Sequence, residues 1–384
     1  MAGFFVGAYE HPTRLATEKS APMLHAEVAA GALADAGLTL ADVDGYFCAG
    51  DSPGVGPLSM VEYLGINPRY VDSTDIGGSS PVLHVAKAAQ AIEMGLCDVA
   101  LVTLAGRPRA EGDRPGGQVQ LTTFPENEFE LPYGPYLAAS YALAARRHMH
   151  EYGTTSEQLA WIKVAISQHA QHNPHARLPK PVTVEEVLAS PMVADPLHRL
   201  DCCVISDGGG AVVLAREEIA RSLKRPLIKL RGAGHAIGYQ RGFEMDITRT
   251  AGIASGQAAY AQAGLTPADI QYLSTYDSFT VTVLFAIEDL GFCAKGEGGR
   301  FVADNGLLSG VGRLPVNTDG GGLCSNHPAH RGGMTKVIET VRQLRGEAHP
   351  AVQVPNCALA MSHGTGGVLG QRHGCATAIL ERVA

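Results

Sequence analysis

Apolar and polar positions follow one another along the chain in short runs that predict both strands and helices. The apolar run from Phe4 to Ala8 predicts a strand, and residues 20–36 carry apolar positions at helical spacing up to a final Ala-Gly pair. Further along, Asp207 and three glycines lead into an apolar run at 211–214 that predicts a buried strand. Helices and strands that alternate in this way are typical of an α/β fold.

An internal repeat predicts that the fold has two related halves. Residues 36–47 and 263–274 align without a gap at an offset of 263 − 36 = 227 residues, and six of the twelve positions are identical. A weaker repeat pairs a predicted helix and strand at 85–104 with a predicted helix and strand at 335–361, in which the strand would occupy 351–361. We therefore expect two βαβαβ layers packed about a pseudo-twofold axis.

The repeat also predicts the domain organisation. We expect an N-terminal half at residues 1–220 and a C-terminal half at residues 221–384, each with parallel strands buried between helices. The first half includes a loop and helical excursion over about residues 107–200. Its segment 108–135 is rich in Gly, Pro and polar residues, and an ordered loop of this length usually has a function.

Charge and composition exclude several classes of protein. The net charge of −8 and the lack of a Lys/Arg run argue against a nucleic-acid-binding surface. No apolar run approaches the roughly 20 residues of a membrane span, and no signal peptide is recognisable, so we expect a cytoplasmic protein without a membrane partner. The eight cysteines form no Cys-x-x-Cys pair, and no carboxylate or Cys stands at ligand spacing beside the histidines at 169, 172 and 175. We therefore expect neither disulfides nor a metal site.

One glycine-rich loop carries the strongest chemical signal. Successive glycines let the backbone approach a ligand closely, although most isolated loops of this kind are only tight turns. Here an Asn, a glycine run and a His-Pro pair ten positions after the Asn closely resemble the histidine loop of the thiolase superfamily. The matching positions are Asn317, Gly320, Gly321, Gly322 and His327. The resemblance implies a thiolase fold with αβαβα layers, a histidine that works in an oxyanion hole over a coenzyme A thioester, and a loop whose Asn and glycines lie against the coenzyme.

The segment that matches the thiolase nucleophile contains no cysteine. In that family a reactive Cys begins a helix, where the helix dipole and backbone N–H groups lower its pKa. Here the position falls on Gly78, or on Ser79 if the alignment slips by one residue, and no Cys lies between residues 49 and 96. A serine hydroxyl needs an adjacent base to attack a thioester, so neither residue is an adequate substitute.

Two further positions match catalytic residues of the family. The second thiolase Cys, an acid/base, falls in segment 361–367, where His363 is the only strong proton-transfer group and a plain turn residue is the alternative. The family motif Asn-Glu-Ala-Phe, which is His-Asp-Cys-Phe in the sterol-carrier-protein branch, matches residues 276–279. Tyr276 thus replaces a catalytic side chain, with simple packing at a strand end as the alternative. Residues 194–209 also resemble the sterol-carrier-protein branch.

These residues fit a carbon–carbon cleavage without a covalent intermediate. Claisen-type thiolysis needs a thiolate, whereas a retro-aldol reaction needs a base for a β-hydroxyl and a donor for the thioester oxygen. The sequence resembles the steroid side-chain aldolases, a thiolase-like group without the cysteines. The resemblance implies cleavage of a branched β-hydroxyacyl-CoA to a carbonyl compound and a short acyl-CoA. Tyr276 or His363 would be the base and His327 the oxyanion donor.

Two other functions stay open on the sequence. One is a thiolase-type acyltransferase that uses Ser79 or a group from a partner, and the other is a non-catalytic thiolase-fold subunit of an acyl-CoA-processing complex. The resemblance implies no cofactor, with coenzyme A present only as part of the substrate. It also implies a homodimer, joined by a small partner protein of the OB-fold/zinc-ribbon type.

Overall fold

A computed structural model describes residues 3–49, 52–112, 136–239, 246–329, 332–370 and 372–383. The strands are β1 Gly3–Glu10, β2 Gly45–Cys48, β3 Tyr70–Ser73, β4 Val99–Gly106, β5 Met192–Ala194, β6 Leu197–His198, β7 Gly208–Arg216, β8 Leu227–Tyr239, β9 Tyr272–Thr275, β10 Leu359–Gly367 and β11 Arg372–Val383. The helices are α1 Ala21–Ala36, α2 Pro57–Leu64, α3 Ser80–Glu93, α4 Leu137–Tyr152, α5 Ser156–Ala170, α6 Val184–Leu188, α7 Glu217–Ser222, α8 Gly252–Ala263, α9 Thr280–Asp289, α10 Gly298–Val302 and α11 Gly332–Arg345. Most of the predicted loop 108–135 lies outside the described residues.

The order of the strands has the symmetry of two related halves. In the part of the chain that the structure describes, nine strands form one mixed sheet in the order β3-β2-β4-β7-β1-β8-β11-β10-β9, and β5 and β6 form a separate hairpin. The run β2-β4-β7-β1 is thus followed by its counterpart in reverse, β8-β11-β10-β9. Among the described residues, the two runs meet at one residue pair, Phe4 with Lys229.

Three hydrophobic clusters give the layers of the fold. Helix α1 packs on the outer side of the N-terminal strands. Helices α3 and α11 share a central cluster with strands of both halves. Helices α4, α5, α8 and α9 pack on the outer side of the C-terminal strands. The resulting order is αβαβα, which confirms the predicted fold class.

The strands are parallel only toward the two ends of the sheet. Strands β3, β2 and β4 run parallel in one half, and β9 and β10 run parallel in the other. The remaining neighbours are antiparallel, so the prediction of parallel strands throughout each half is wrong. In the C-terminal half the reason is local, because residues 368–371 alone join β10 to β11 and parallel pairing needs a much longer crossover.

The sequence repeat has the same local structure at both of its sites. In each copy a glycine with positive φ ends a helix, at Gly37 and at Gly264. A one-turn helix capped by the following Asp then leads into a strand, and Thr39 N and Thr266 N each donate a 2.8 Å hydrogen bond to that carboxylate. Strands β2 and β9 begin and end at positions related by the offset, since 45 + 227 = 272 and 48 + 227 = 275. The boundary at residue 220 falls inside α7 and stays a prediction.

One predicted strand begins in the wrong place. The weaker repeat placed a strand at 351–361, whereas β10 begins at Leu359. Pro355 has no N–H to donate to a neighbouring strand. The Val354 N–H instead donates to Gln343 Oε1 at 2.9 Å. Side-chain hydrogen bonds therefore hold this segment as a loop, and the strand starts only beyond it.

Four buried imidazoles make the stability of the fold sensitive to acid. Burial lowers the pKa of His84, His169 and His373 to about 4 and that of His363 to about 3. Between pH 6.5 and about 4 the unfolded chain therefore binds protons that the folded chain does not. The free energy of unfolding should fall across this window by about 1.4 kcal/mol per pH unit for each imidazole. Three buried carboxyls, those of Asp201, Asp289 and Asp319, act in the opposite direction because burial raises their pKa, to about 7 for Asp319, but they are three groups against four.

Urea unfolding followed by circular dichroism at pH 7.5, 6.0 and 5.0 measures this slope. Replacing the exposed His175 by Asn is the matched control and should leave the slope unchanged. A free energy of unfolding that is constant from pH 7.5 to 5.0 would contradict the assignment of neutral buried imidazoles.

Candidate active site

Tyr276 lies directly after β9, with its ring buried beside the imidazole of His327. The two ring centroids are 5.1 Å apart and the rings meet edge to face. The Tyr276 N–H donates to His363 O at 2.9 Å, and its hydroxyl donates to Ala329 O at 2.9 Å. The tyrosine is therefore fixed at its backbone and at its hydroxyl, and the structure brings it together with the predicted histidine.

Hydrogen bonds to the side chain of Ser206 fix the loop that contains His327. The His327 N–H donates to Ser206 Oγ at 2.8 Å, and that hydroxyl donates to Asn326 Oδ1 at 2.7 Å. Gly322 leaves the room that the imidazole needs, because a Cβ there would lie 2.9 Å from His327 Cδ2. The imidazole can therefore occupy this position only because residue 322 has no side chain.

The Tyr276 ring fills the space in which a side chain at position 78 would lie. A Cβ added to Gly78 would be 2.5 Å from Tyr276 Cε2 and 2.4 Å from Thr365 O. Both distances are far below van der Waals contact, and one partner is backbone. A cysteine at position 78 and a tyrosine at position 276 in this orientation therefore exclude each other.

Ser79 is not arranged as a replacement nucleophile. Its side chain is buried, and its hydroxyl donates to Ile76 O at 2.6 Å. No imidazole or carboxylate among the described residues accepts a hydrogen bond from it. Without an adjacent base, the hydroxyl lacks the activation that attack on a thioester requires.

The backbone of His363 lies beside that of Tyr276, but the His363 imidazole faces away from Tyr276 and His327. Its Nδ1 lies 2.9 Å from Thr377 Oγ1, and the ring lines a small cavity with Phe285 and His373 on the outer side of the sheet. The next residue faces the start of α3 instead, since a Cβ on Gly364 would lie 2.8 Å from Ser79 Cα and 3.3 Å from Val82 Cγ2. The structure therefore does not bring His363 together with Tyr276 and His327. Burial lowers its pKa to about 3, which also makes the imidazole a weak base.

Asn317 and the glycine run are used inside the protein. Asn317 Oδ1 accepts from Thr275 N at 2.8 Å, and Asn317 Nδ2 donates to Thr275 O at 2.9 Å, which ties the loop to the end of β9. The Gly321 N–H donates to Asp319 Oδ1, and the Gly322 N–H donates to Asp277 Oδ1. Asn317, Gly320, Gly321 and Gly322 are all buried. These groups have partners inside the protein, and their contact with coenzyme A stays a prediction.

A buried ion pair under the site was missed by the sequence reading. Asp277 Oδ1 and Lys336 Nζ are 2.9 Å apart, and both side chains are almost fully buried. Burial alone would lower the pKa of Lys336, but the Asp277 and Asp319 carboxylates raise it, so the ammonium is charged. The available signal was a lysine in a helix whose neighbouring positions, 334, 337, 338 and 341, are apolar.

Neither a metal site nor a membrane span is found among the described residues. These residues contain no group of three or more His, Cys, Asp or Glu side chains arranged to hold a metal ion. Within the same ranges, no helix has both the length and the apolar character needed to cross a membrane.

Comparison with known proteins gives matches over nearly the whole chain. Residues 234–382 match the family described as Thiolase C-terminal domain-like. An acetyl-CoA acetyltransferase of Methanothermobacter thermautotrophicus is 36% identical, over 90% of this chain and 91% of that protein. The 17-hydroxy-3-oxo-4-pregnene-20-carboxyl-CoA lyase of Mycobacterium tuberculosis is 36% identical, over 84% and 86%. A steroid side-chain-cleaving aldolase of Thermomonospora curvata is 38% identical, over 85% and 86%.

A solved structure agrees with these relatives. The complex described as Ltp2-ChsH2(DUF35) aldolase contains a chain that superposes with a TM-score of 0.88 at 34% identity. The match covers 99% of this chain and 98% of the solved one. Similarity therefore extends through both halves and through the layers that hold Tyr276 and His327.

Proposed function

The chain belongs to the thiolase superfamily, and from this premise we propose that it is a carbon–carbon lyase that cleaves a β-hydroxyacyl-CoA by a retro-aldol reaction. The observation that carries the proposal is the Tyr276 ring in the space of the missing nucleophile, 2.5 Å from a Cβ at position 78. Relatives at 36–38% identity with lyase and aldolase activities support it.

In the proposed reaction, Tyr276 is the base and His327 the donor to the thioester oxygen. Tyr276, as phenolate, takes the proton of the β-hydroxyl while the Cα–Cβ bond breaks, and the bonding electrons move into the thioester as an enolate. The enolate then takes up one proton at Cα, and Tyr276 releases the proton that it accepted. The step consumes neither water nor free coenzyme A. Each of the two groups would contribute about 10²- to 10⁴-fold in rate.

An acyltransferase is the second candidate, because an acetyl-CoA acetyltransferase is 36% identical over 90% of the chain. This candidate needs a nucleophile that carries the acyl group between two half-reactions. Gly78 has no side chain, and the Ser79 hydroxyl is bonded to a carbonyl oxygen. Exchange of labelled coenzyme A into an acyl-CoA would reveal this activity.

We further propose that the chain acts as a homodimer with an OB-fold partner of the DUF35 type. Support for the partner comes from the Ltp2-ChsH2(DUF35) complex, whose thiolase-fold chain matches this one at 34% identity. Support for the dimer comes from β3, an edge strand that leaves Val71 43% exposed. An edge strand presents unpaired backbone N–H and C=O groups, to which a strand of a second copy can pair.

The experiment that tests the function supplies the chain, alone and with a DUF35-type partner, with 17-hydroxy-3-oxo-4-pregnene-20-carboxyl-CoA. The hydroxyl of this compound is β to the thioester, so a retro-aldol step gives a 17-oxo steroid and propionyl-CoA. We expect the two products in equal amounts without added coenzyme A. Cleavage that depends on free coenzyme A would support the acyltransferase instead, and a failure of both preparations to turn over this and simpler β-hydroxyacyl-CoA compounds would contradict the proposal.

A further inference from the structure

The carboxylate of Asp277 joins three parts of the fold beneath the catalytic pair. Asp277 directly follows Tyr276 in the chain. Its carboxylate accepts from Gly322 N at 2.7 Å and from Leu323 N at 3.1 Å, in the turn that leads to His327. It also lies 2.9 Å from Lys336 Nζ, in helix α11. One side chain thus connects the residue after the tyrosine, the turn before the histidine and the central helix.

The carboxylate and the imidazole both lie close to one glycine, at the position that a side chain on Gly322 would occupy. A Cβ added to Gly322 would be 2.9 Å from Asp277 Oδ1 and 2.9 Å from His327 Cδ2. A shift of the carboxylate would therefore move the turn at Gly322, and the turn sets where the histidine loop begins. Asp277 is also joined directly to Tyr276 by a peptide bond. The two catalytic rings are linked through this carboxylate by short, buried contacts.

A buried ion pair is a poor way to gain stability. Removing two charges from water costs about as much as their attraction returns, so apolar side chains of similar size often serve equally well. Asp277 and Lys336 are 0% and 1% exposed, which places them in this category. The position of this ion pair is better explained by the turn at Gly322. A carboxylate, unlike an apolar side chain, can accept from the two backbone N–H groups of that turn and also pair with an ammonium group.

We propose that Asp277 and Lys336 are positioning residues that fix the Tyr276 hydroxyl relative to the His327 imidazole during carbon–carbon cleavage. This inference rests on the proposed function, in which these two rings act on the substrate. Neither Asp277 nor Lys336 contacts the reacting atoms in this account. Their effect is on orientation, and a small displacement of a catalytic group can cost about 100-fold in rate.

The test measures kcat and KM for Asp277→Asn in two backgrounds, wild type and Tyr276→Phe. In the wild-type background kcat should fall at least 10-fold with KM within 2-fold of its original value. In the Tyr276→Phe background the same substitution should lower kcat less than 3-fold, because the group that it positions is already gone. Asp201→Asn is the matched control, since Asp201 is also buried and accepts from Thr280 Oγ1, and it should leave kcat unchanged.

A second variant guards against loss of folding. Asp277→Asn with Lys336→Met removes both charges of the ion pair, so neither partner of the pair is left charged without the other, and it should fold while its kcat stays at least 10-fold low. Equal loss of kcat in both backgrounds, or wild-type kcat in the neutral double variant, would overturn the positioning role. If Tyr276→Phe alone had wild-type kcat, the proposed function of Tyr276 would fail instead, so the two failures are distinguishable.

Discussion

Replacing Tyr276 by Phe should lower kcat about 10²- to 10⁴-fold, which is the range for loss of a positioned proton-transfer group. The ring stays in place against Gly78 and His327, so packing is preserved. Only the hydroxyl is lost, together with its 2.9 Å hydrogen bond to Ala329 O. Loss of one such bond should lower the free energy of unfolding by about 0.5–1.5 kcal/mol. Steady-state kinetics on a β-hydroxyacyl-CoA and urea unfolding measure the two effects separately.

Tyr136→Phe is the matched control for this substitution. The Tyr136 hydroxyl also donates a 2.9 Å hydrogen bond to a backbone carbonyl, that of Val193. Its loss should change stability by a similar amount and leave kcat unchanged. If both variants kept wild-type kcat, Tyr276 would not be the base. If both lost activity equally, the loss would reflect stability rather than proton transfer.

Replacing Gly78 by Ala should damage both the fold and the activity. The new Cβ would lie 2.4 Å from Thr365 O and 2.5 Å from Tyr276 Cε2, so the ring or the backbone must move. Overpacking of this kind costs about 1–3 kcal/mol of stability. The displaced tyrosine should also lower kcat at least about 100-fold, since catalysis depends on its orientation. Thermal unfolding and steady-state kinetics of the same preparation measure the two losses.

Gly238→Ala is the matched control, because a Cβ there would meet its nearest neighbours at 3.8 Å. That variant should behave as wild type in both measurements. A Gly78→Ala variant with normal stability and normal kcat would show that Tyr276 does not fill this space in solution. The account of the missing nucleophile would then lose its physical basis.

The features of the fold and the site that could be predicted are those in which a sequence motif fixes the local backbone conformation as well as the residue type. The repeat at offset 227 predicted two matching strands, β2 and β9, because the same glycine and the same Thr–Asp cap direct the chain in both halves. Likewise, the residue after β9 and the histidine after the glycine run were predicted as partners. Their rings lie 5.1 Å apart.

Side-chain direction and long-range pairing could not be predicted in this way. His363 was expected beyond the strand predicted at 351–361, whereas it lies inside β10. Successive strand residues point to opposite faces, so a shift of one residue puts the imidazole outside the site. Asp277 and Lys336 are 336 − 277 = 59 residues apart, and no local pattern indicates that they meet. The loop at 351–358 was mistaken for a strand because its hydrogen bonds go to the side chain of Gln343, which lies outside that segment.

The measurement that tests the central claim most directly is rapid-quench mass spectrometry of the intact protein during turnover of a β-hydroxyacyl-CoA. The claim is that Tyr276, in the space of the missing cysteine, supports carbon–carbon cleavage without an acyl-enzyme. We expect the protein mass to stay unmodified at every time point while the carbonyl product and the short acyl-CoA accumulate together from the first turnover. An acyl adduct that forms before the products and then decays, on Ser79 or on any cysteine, would contradict it.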